Sequence, residues 1–162
     1  MAASLITVAL GAFFKPLKLL KNKPTSPIDL VAMLDTYLEQ IVPVGSFVTA
    51  AICFCDLERK QLFVFNCGHT TVYSLFKDEN NNGKMAAIKA GLPPLGMGSV
   101  AAALRDSADS EKKPFAVLPI KEQMHLNLYT DGLTDMQNDE GVRFDEQRTR
   151  DFFVQLYNKP IS

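Results

Sequence analysis

The sequence lacks tryptophan, contains two histidines and three cysteines, and has no surplus of charge of either sign. Seventeen basic residues oppose eighteen acidic ones, which gives a net charge of −1 at pH 7. A protein that binds nucleic acid through its phosphates needs a surplus of Lys and Arg to release counterions. The charge balance therefore argues against a nucleic-acid partner.

The sequence also lacks an apolar run long enough to cross a membrane. Its longest run, residues 2–14, is followed by lysines, and it is much shorter than the roughly 20 residues that a spanning helix needs. No charged segment precedes the run, as one would in a secretory signal peptide. We therefore expect a buried helix in a cytoplasmic protein, with no membrane contact by this domain.

The three cysteines, Cys53, Cys55 and Cys67, make a poor disulfide framework because their number is odd and their density is low. Cys53 and Cys55 lie two residues apart in a strand-like run, so their side chains should point to one face of that strand. A zinc site would lack ligands, since the chain has only two histidines. We predict buried free thiols, as in a reducing cytosol.

The length of 162 residues, with 47% apolar and 22% charged residues, is that of a single domain, residues 1–162, with its own core. Two helices are expected first. The earlier covers residues 2–20, and a proline within it predicts a kink or a stop near Phe14. The later covers residues 27–41, with Ser26 as its N-cap and Pro27 as its first residue.

Runs of alternating apolar residues, separated by turn-forming residues, predict six strands. They cover residues 47–57, 61–67, 71–76, 84–90, 115–120 and 123–129. The first two and the next two should form hairpins, residues 101–113 a loop or short helix, and residues 144–157 a last helix. Because the helices and the strands are segregated along the chain, this order predicts an α+β fold with helices on one face of an antiparallel sheet.

Asp131 is the most informative residue for chemistry. It directly follows an apolar strand and precedes Gly132, where a backbone without a side chain lets a ligand approach closely. Carboxylate oxygens at a strand end are suitable ligands for magnesium or manganese. Asp135 would lie nearby if a helical turn begins at Gly132. The alternative role of Asp131 is an Asx-turn or a helix cap.

Two loops contain further candidate residues. His69 ends the segment Asn66-Cys67-Gly68-His69, which follows a strand, and Gly68 should allow a sharp bend there. The alternative role of His69 is to hydrogen-bond the loop backbone. Residues 91–96, which read Gly-Leu-Pro-Pro-Leu-Gly, predict a rigid apolar loop.

Four segments occur in one order along the chain: Phe47-Val48-Thr49, Asn66-Cys67-Gly68-His69, Leu92-Pro93-Pro94-Leu95-Gly96 and Tyr129-Thr130-Asp131-Gly132. In these segments the chain resembles the SpoIIE-type branch of the bacterial type 2C, metal-dependent serine/threonine protein phosphatases. That family carries Phe-x-Thr, Asn-Ala-Gly-His, Leu-Pro-Leu-Gly and Tyr-Thr-Asp-Gly, followed by Asn-x-x-Gly-x-x-Phe-Gly. The last pattern corresponds to residues 138–145, and the resemblance covers residues 1 to about 157.

The resemblance implies an antiparallel β-sheet sandwich flanked by helices, with two manganese or magnesium ions at one end. In this scheme the ions activate a bridging water for in-line attack on a phosphoserine or phosphothreonine. Asp131, with Gly132 beside it, would belong to the metal-binding element, and Asp135 and His69 are candidates for groups that surround it. The implied partner is a phosphorylated regulatory protein of the anti-anti-sigma type, which acts in partner-switching signal transduction.

The chain departs from the family in its carboxylates. The family's Gly-Gly-Asp, Asp-x-Ser-Gly-His-Gly and Asp-Asp-x-Thr elements have no counterpart here, and the first acidic residue is Asp29. We therefore expect a domain truncated at both ends, without its N-terminal and C-terminal strands, that binds metal weakly and has little activity alone. The alternatives are a non-catalytic module of the same fold, which docks a partner or forms a homodimer, and an unrelated α+β ligand-binding protein.

Overall fold

The structure is a computed structural model, and it describes residues 2–17, 26–107 and 110–158. Its elements, in chain order, are α1 (Ala2–Leu17), α2 (Pro27–Glu39), β1 (Ala50–Asp56), β2 (Gln61–Cys67), β3 (Val72–Lys77), β4 (Gly83–Ile88), α3 (Val100–Asp106), β5 (Ala116–Pro119), β6 (His125–Asn127), α4 (Asp131–Thr134) and α5 (Asp145–Asn158). No helix in these ranges has the length and apolar character that a membrane span requires.

The six strands form two antiparallel sheets of three strands each, with the orders β1-β2-β5 and β4-β3-β6. Both predicted hairpins are confirmed. Ala50 pairs with Cys67 across the first hairpin, and Val72 pairs with Ile88 across the second. The strands β5 and β6 then join one sheet each, so the last two strands of the chain lie in different layers.

The space between the two sheets is filled by apolar side chains from both of them. Leu62 and Val64 of β2 pack there with Val72 of β3 and Ile88 of β4. The opposite face of β2 contributes Phe65 to a second core, shared with α2 and α3. Because β2 is buried on both faces, it lies at the centre of the molecule.

The last helix, α5, covers the second sheet. The ring of Phe153 lies 6.1 Å from the ring of Tyr73 on β3 and 5.7 Å from that of Tyr129. The layers are therefore helix, sheet, sheet and helix, and the predicted α+β sandwich flanked by helices is confirmed. The expectation of one sheet with helices on one face was wrong, because the central strands β2 and β3 have buried side chains on both faces, so each sheet packs between the other sheet and a helix.

The helix boundaries follow local signals. The Ser26 hydroxyl accepts a 3.1 Å hydrogen bond from the Asp29 amide, and Pro27 is the first residue of α2, as expected. The helix α1 continues past Phe14 to Leu17, and the remainder of the predicted range, residues 18–20, lies outside the described residues. The short helix expected among residues 101–113 is α3.

The three cysteines differ in their burial. Cys67 is buried, Cys53 is half-buried and Cys55 is exposed, and all three are free thiols. The prediction of buried thiols is therefore right for Cys67 and wrong for Cys55. Cys55 lies near the end of β1, an edge strand, where the sandwich leaves its side chain open to solvent.

Candidate functional site

Asn66, at the end of β2, holds the following turn in place. Its side chain is 1% exposed. The side-chain amide donates to the carbonyls of Thr70 at 2.9 Å and Ile88 at 3.1 Å, and its oxygen accepts the His69 N–H at 2.9 Å. Both N–H donors of this amide and its oxygen are thus bonded to backbone groups. This accounts for an asparagine at that place in the motif, because a buried amide must find partners.

The turn packs directly against the proline-rich loop. Gly68 has φ +66°, and a Cβ at this position would lie 2.7 Å from Cγ of Pro94. The Gly68 N–H donates to the Leu92 carbonyl at 3.0 Å. Both the positive φ and the close approach of the proline ring require a residue without a side chain. The predicted need for glycine at the bend is thus explained by contact between two of the motifs.

The proline-rich loop is joined in turn to the segment that precedes β1. Val48 and Leu95 exchange backbone hydrogen bonds of 2.9 and 2.8 Å, as an isolated antiparallel bridge. The strand predicted over residues 47–57 is therefore shorter than expected, and its first part pairs with a loop rather than with β2.

A single side-chain bond joins the turn to the segment that contains Asp131. The Thr70 hydroxyl donates a 2.6 Å hydrogen bond to the carbonyl of Tyr129. Tyr129 lies two residues before Asp131, just after the end of β6. The four sequence segments, spread over more than 80 residues of the chain, are consequently connected by a continuous set of contacts.

Asp131 is the first residue of the single-turn helix α4, with Thr130 as the N-cap. The residue is exposed, and within the described part of the chain its carboxylate accepts no hydrogen bond, although its carbonyl accepts the Asp135 N–H at 2.8 Å. Its side-chain oxygens thus face solvent. The Asp135 carboxylate lies 3.4 Å from the guanidinium of Arg143 as an exposed ion pair. Gly132 follows Asp131 in the same turn, as predicted.

The described donor groups do not by themselves fit a centre of two metal ions. Two divalent cations need several carboxylates to offset their charge and lost hydration. In residues 2–17, 26–107 and 110–158, no three side chains of His, Cys, Asp or Glu come together in a way that could hold a metal ion. Asp131 is thus a candidate metal ligand that forms no cluster with other possible ligands in those ranges. His69 donates its backbone N–H to the side chain of Asn66.

The segment after α4 forms a small turn that leads into α5. The Asn138 side chain accepts the N–H groups of Glu140 and Val142 at 3.1 and 2.9 Å, and Gly141 has φ +76°. This accounts for the asparagine and glycine of the family pattern at residues 138–145. The Asp145 carboxylate then accepts the Arg148 N–H at 2.9 Å, as an N-cap of α5.

Sequence reasoning missed two acidic residues that bind other parts of the fold. Asp35 of α2 is fully buried, and its carboxylate accepts the N–H groups of Gly96, Val100 and Ala101 at 2.8, 2.9 and 3.4 Å. It therefore caps α3 from another helix and fixes the end of the proline-rich loop. Asp35 lies in an amphipathic helix with no local signal for this role, because its partners lie more than 60 residues away.

The second missed residue is Glu146 of α5. Its carboxylate accepts a 2.5 Å hydrogen bond from the Thr71 hydroxyl and a 3.3 Å hydrogen bond from the Tyr73 hydroxyl. Burial, followed by the nearby Glu146 carboxylate, raises the pKa of Tyr73 well above its usual range and also raises that of Tyr129. Both phenols therefore stay protonated at neutral pH.

The chain is similar to a known protein family over nearly its whole length. The model of the family described as Stage II sporulation protein E (SpoIIE) matches residues 1–161. The chain belongs to the SpoIIE family. It therefore contains a PP2C-like phosphatase domain, of a class that is generally metal-dependent. No match was found among the curated proteins or among the solved structures.

Membership of the SpoIIE family agrees with the contacts seen in the structure. The residues that carried the resemblance, including Asn66, Gly68, Leu95 and Thr130-Asp131, lie in one connected region. Most of them have a structural role there that explains the residue type. Asp131 is the exception, since its exposed carboxylate has no structural partner among the described residues and is available to a ligand.

Proposed function

We propose that this SpoIIE-family domain hydrolyses phosphoserine or phosphothreonine on a regulatory protein of the anti-anti-sigma type, in a partner-switching pathway of the bacterial cytoplasm. The observation that carries the proposal is the connection of the turn at His69, through Thr70 and Tyr129, to the exposed Asp131. The family match over residues 1–161 supports the reaction class.

Hydrolysis of a phosphoserine joins a water oxygen to phosphorus, breaks the bond between phosphorus and the serine oxygen, and returns a proton to that oxygen. Asp131 is the residue of this chain that we expect to contact manganese or magnesium, with Gly132 allowing a close approach. Through Thr70, the Asn66 turn is hydrogen-bonded to the backbone two residues before Asp131. At the other end of the same helical turn, Asp135 forms an exposed ion pair with Arg143.

We further propose that the chain of 162 residues, tested alone, binds manganese weakly and turns over substrate slowly or not at all. One carboxylate at Asp131 supplies a single negative charge, whereas two divalent ions carry four positive charges. The remaining described acidic groups are occupied elsewhere or scattered: Asp35 caps α3, and Glu146 binds Thr71.

The test is a calorimetric titration of the chain with manganese, together with phosphate release from a phosphoserine peptide. Asp131→Asn is compared with Asp106→Asn, which changes an exposed carboxylate at the end of α3. We expect weak manganese binding that Asp131→Asn abolishes and Asp106→Asn leaves unchanged. A robust manganese-dependent rate lost in Asp131→Asn would contradict the proposed low activity but support the phosphatase assignment. A rate that survives in Asp131→Asn would contradict the role of Asp131.

The second candidate function is a non-catalytic module that associates with a partner or with a second copy of the chain. It is favoured by apolar side chains exposed on the first two helices, since Val8 is 69% and Met33 is 49% exposed. Sedimentation equilibrium distinguishes the two. A tight dimer without phosphate release would favour the module, and a monomer that releases phosphate would exclude it.

A further inference from the structure

A cavity of about 610 Å³ opens between the end of β4 and the segment that leads into β5. One wall is formed by residues 87–91 and the other by residues 112–116, with Ser107 between them. It does not include Asp131 or His69, and the proposed chemistry does not use it. This cavity, hereafter the lysine cavity, is lined by Lys89, Lys112 and Lys113.

The floor of the lysine cavity is held by close backbone contacts. A Cβ on Gly91 would lie 2.4 Å from the carbonyl oxygen of Pro114, so the two walls meet without room for a side chain. The Gly91 N–H approaches the Asn66 carbonyl at 3.3 Å, and the Asn66 amide donates to the Ile88 carbonyl at 3.1 Å. The wall of residues 87–91 is therefore hydrogen-bonded to Asn66, the same residue that holds the Asn66 turn in place.

The charge of the lysine cavity differs from that of the whole chain. Among the residues that the structure describes, three that line the cavity are cationic and none is acidic, whereas the whole chain has a net charge of −1. The ammonium group of Lys113 donates to the Ser107 carbonyl at 3.0 Å. In the part of the chain that the structure describes, Lys89 and Lys112 take part in no ion pair. A concave surface with uncompensated cations attracts oxyanions.

A second cavity, of about 460 Å³, shares Ser107, Lys113 and Phe115 with the lysine cavity. Its other lining residues include the apolar Ile28 and Leu104 and the charged Asp29 and Arg105. A cationic site that continues into a partly apolar one suits a peptide segment with an acidic group next to an apolar side chain. A free inorganic ion would use only the first cavity.

From these observations, and resting on the proposed function, we propose that the lysine cavity docks an acidic segment of the phosphoprotein substrate by binding a carboxylate of that segment, while the phosphate of the substrate reaches Asp131 outside the cavity. Lys89 and Lys112 supply the attraction, and Lys113 lies between the cationic and apolar cavities. Charge complementarity of this kind contributes to partner choice and to association rate, and it weakens with salt.

The test measures binding in EDTA, so that no turnover takes place. Fluorescence anisotropy follows three labelled peptides: a phosphoserine peptide without other acidic residues, a serine peptide flanked by Asp and Glu, and a neutral serine peptide. The variant Lys89→Glu/Lys112→Glu is compared with Lys60→Glu/Lys77→Glu, which makes the same change of charge in the turn after β1 and at the end of β3, outside both cavities. Circular dichroism checks folding, and Lys89→Gln/Lys112→Gln replaces the first variant if that one does not fold.

We expect the peptide flanked by Asp and Glu to bind more tightly than the neutral one. We also expect Lys89→Glu/Lys112→Glu to weaken that binding about tenfold or more, and the control variant to weaken it less than about twofold. Lysine-dependent binding of the phosphoserine peptide alone would contradict the assignment of a carboxylate to the lysine cavity. Equal losses in both variants, or equal binding of all three peptides to the unaltered chain, would overturn the proposal.

Manganese binding, measured separately by calorimetry, distinguishes this inference from the proposed function. Peptide binding that depends on Lys89 and Lys112, together with manganese binding that Asp131→Asn leaves unchanged, would retain the docking site and contradict the proposed role of Asp131. Phosphate release from a protein substrate with a KM that neither lysine affects would retain the phosphatase and contradict the docking site.

Discussion

The hydroxyl of Thr70 donates a 2.6 Å hydrogen bond to the carbonyl of Tyr129, a residue 59 positions further along the chain. Thr70 directly follows His69, and Tyr129 lies two residues before Asp131. This bond is the link by which the Asn66 turn, on the first sheet, contacts the segment after the second sheet. The position of Asp131 relative to the turn therefore depends on a threonine that belongs to neither motif.

Replacing Thr70 by Val should lower the free energy of unfolding by about 1–2 kcal/mol, because the partly buried Tyr129 carbonyl loses its donor. Thr36→Val is the matched control, since the Thr36 hydroxyl donates to the Ala32 carbonyl at 3.1 Å on an exposed helix face. That change should cost less than about 0.5 kcal/mol. Urea denaturation of both variants measures the difference. Equal losses of unfolding free energy would show that the Thr70 hydrogen bond stabilises the fold no more than the Thr36 hydrogen bond does.

Gly68→Ala should destabilise the fold by about 1–3 kcal/mol, because the new methyl group meets the Pro94 ring in a backbone conformation with φ +66°. Gly11→Ala is the opposite case. Gly11 lies inside α1 with no atom within 4 Å of the added Cβ, so alanine should stabilise the helix by about 0.5–1 kcal/mol. Thermal melts of the two variants should move in opposite directions, and a neutral Gly68→Ala would contradict the packing described here.

Asp35→Asn should cost about 2–3 kcal/mol, since an amide cannot replace a carboxylate that accepts three buried N–H groups. Asp106→Asn, an exposed change at the other end of α3, should have an effect within about 0.5 kcal/mol. Chemical denaturation gives both values. Hydrogen exchange adds a local measurement, in which the amides of Gly96 and Val100 should lose protection in Asp35→Asn alone.

Stability should fall as pH rises above about 9. Burial, with a smaller effect of the Asp35 carboxylate, raises the pKa of the Cys67 thiol from about 9 to about 12. The folded state then keeps a proton that the unfolded state loses between these values, so this contribution is fully present below pH 9 and declines above it. The slope for one such group is at most about 1.4 kcal/mol per pH unit.

The variant Cys67→Ala should show a smaller loss of stability between pH 8 and pH 10.5 than the unaltered chain. Cys55→Ala, which changes an exposed thiol, should keep the dependence due to Cys67 and lose only the smaller part that Cys55 adds to the raised pKa of Cys53, after burial. Tyr73 and Tyr129 also have raised pKa values, and their contribution should be the same in both variants. Equal pH dependence in the two variants would rule out Cys67 as a source.

Locally encoded features were predictable from the sequence. The Ser26 cap, the two hairpins and the last helix depend on neighbouring residues, and the structure confirms each of them within a few residues. The predicted strand over residues 123–129 is shorter, since β6 covers only His125–Asn127. The exposure of Cys55 was not predictable, because it depends on the position of β1 at the edge of its sheet.

The candidate site divides in the same way. Asp131 and Gly132 were predicted as metal-site residues from a strand end followed by glycine and from the family resemblance, and this stays a prediction. The order of four motifs indicated the family to which the chain belongs. Asp35, Glu146 and Thr70 were not identified. Each is a polar residue in an ordinary local context, and its partners lie between 59 and 75 positions away.

By itself, then, the sequence determined the elements, their caps and turns, and the family, because these depend on residue type over short distances. The tertiary structure decided which strands belong to each of the two sheets, that Asp35 caps a distant helix, and that three lysines from two segments line one cavity. The physical reason is that side-chain pairing and charge clustering arise between segments far apart in the chain. Only the packing of the two sheets and their helices brings those segments together.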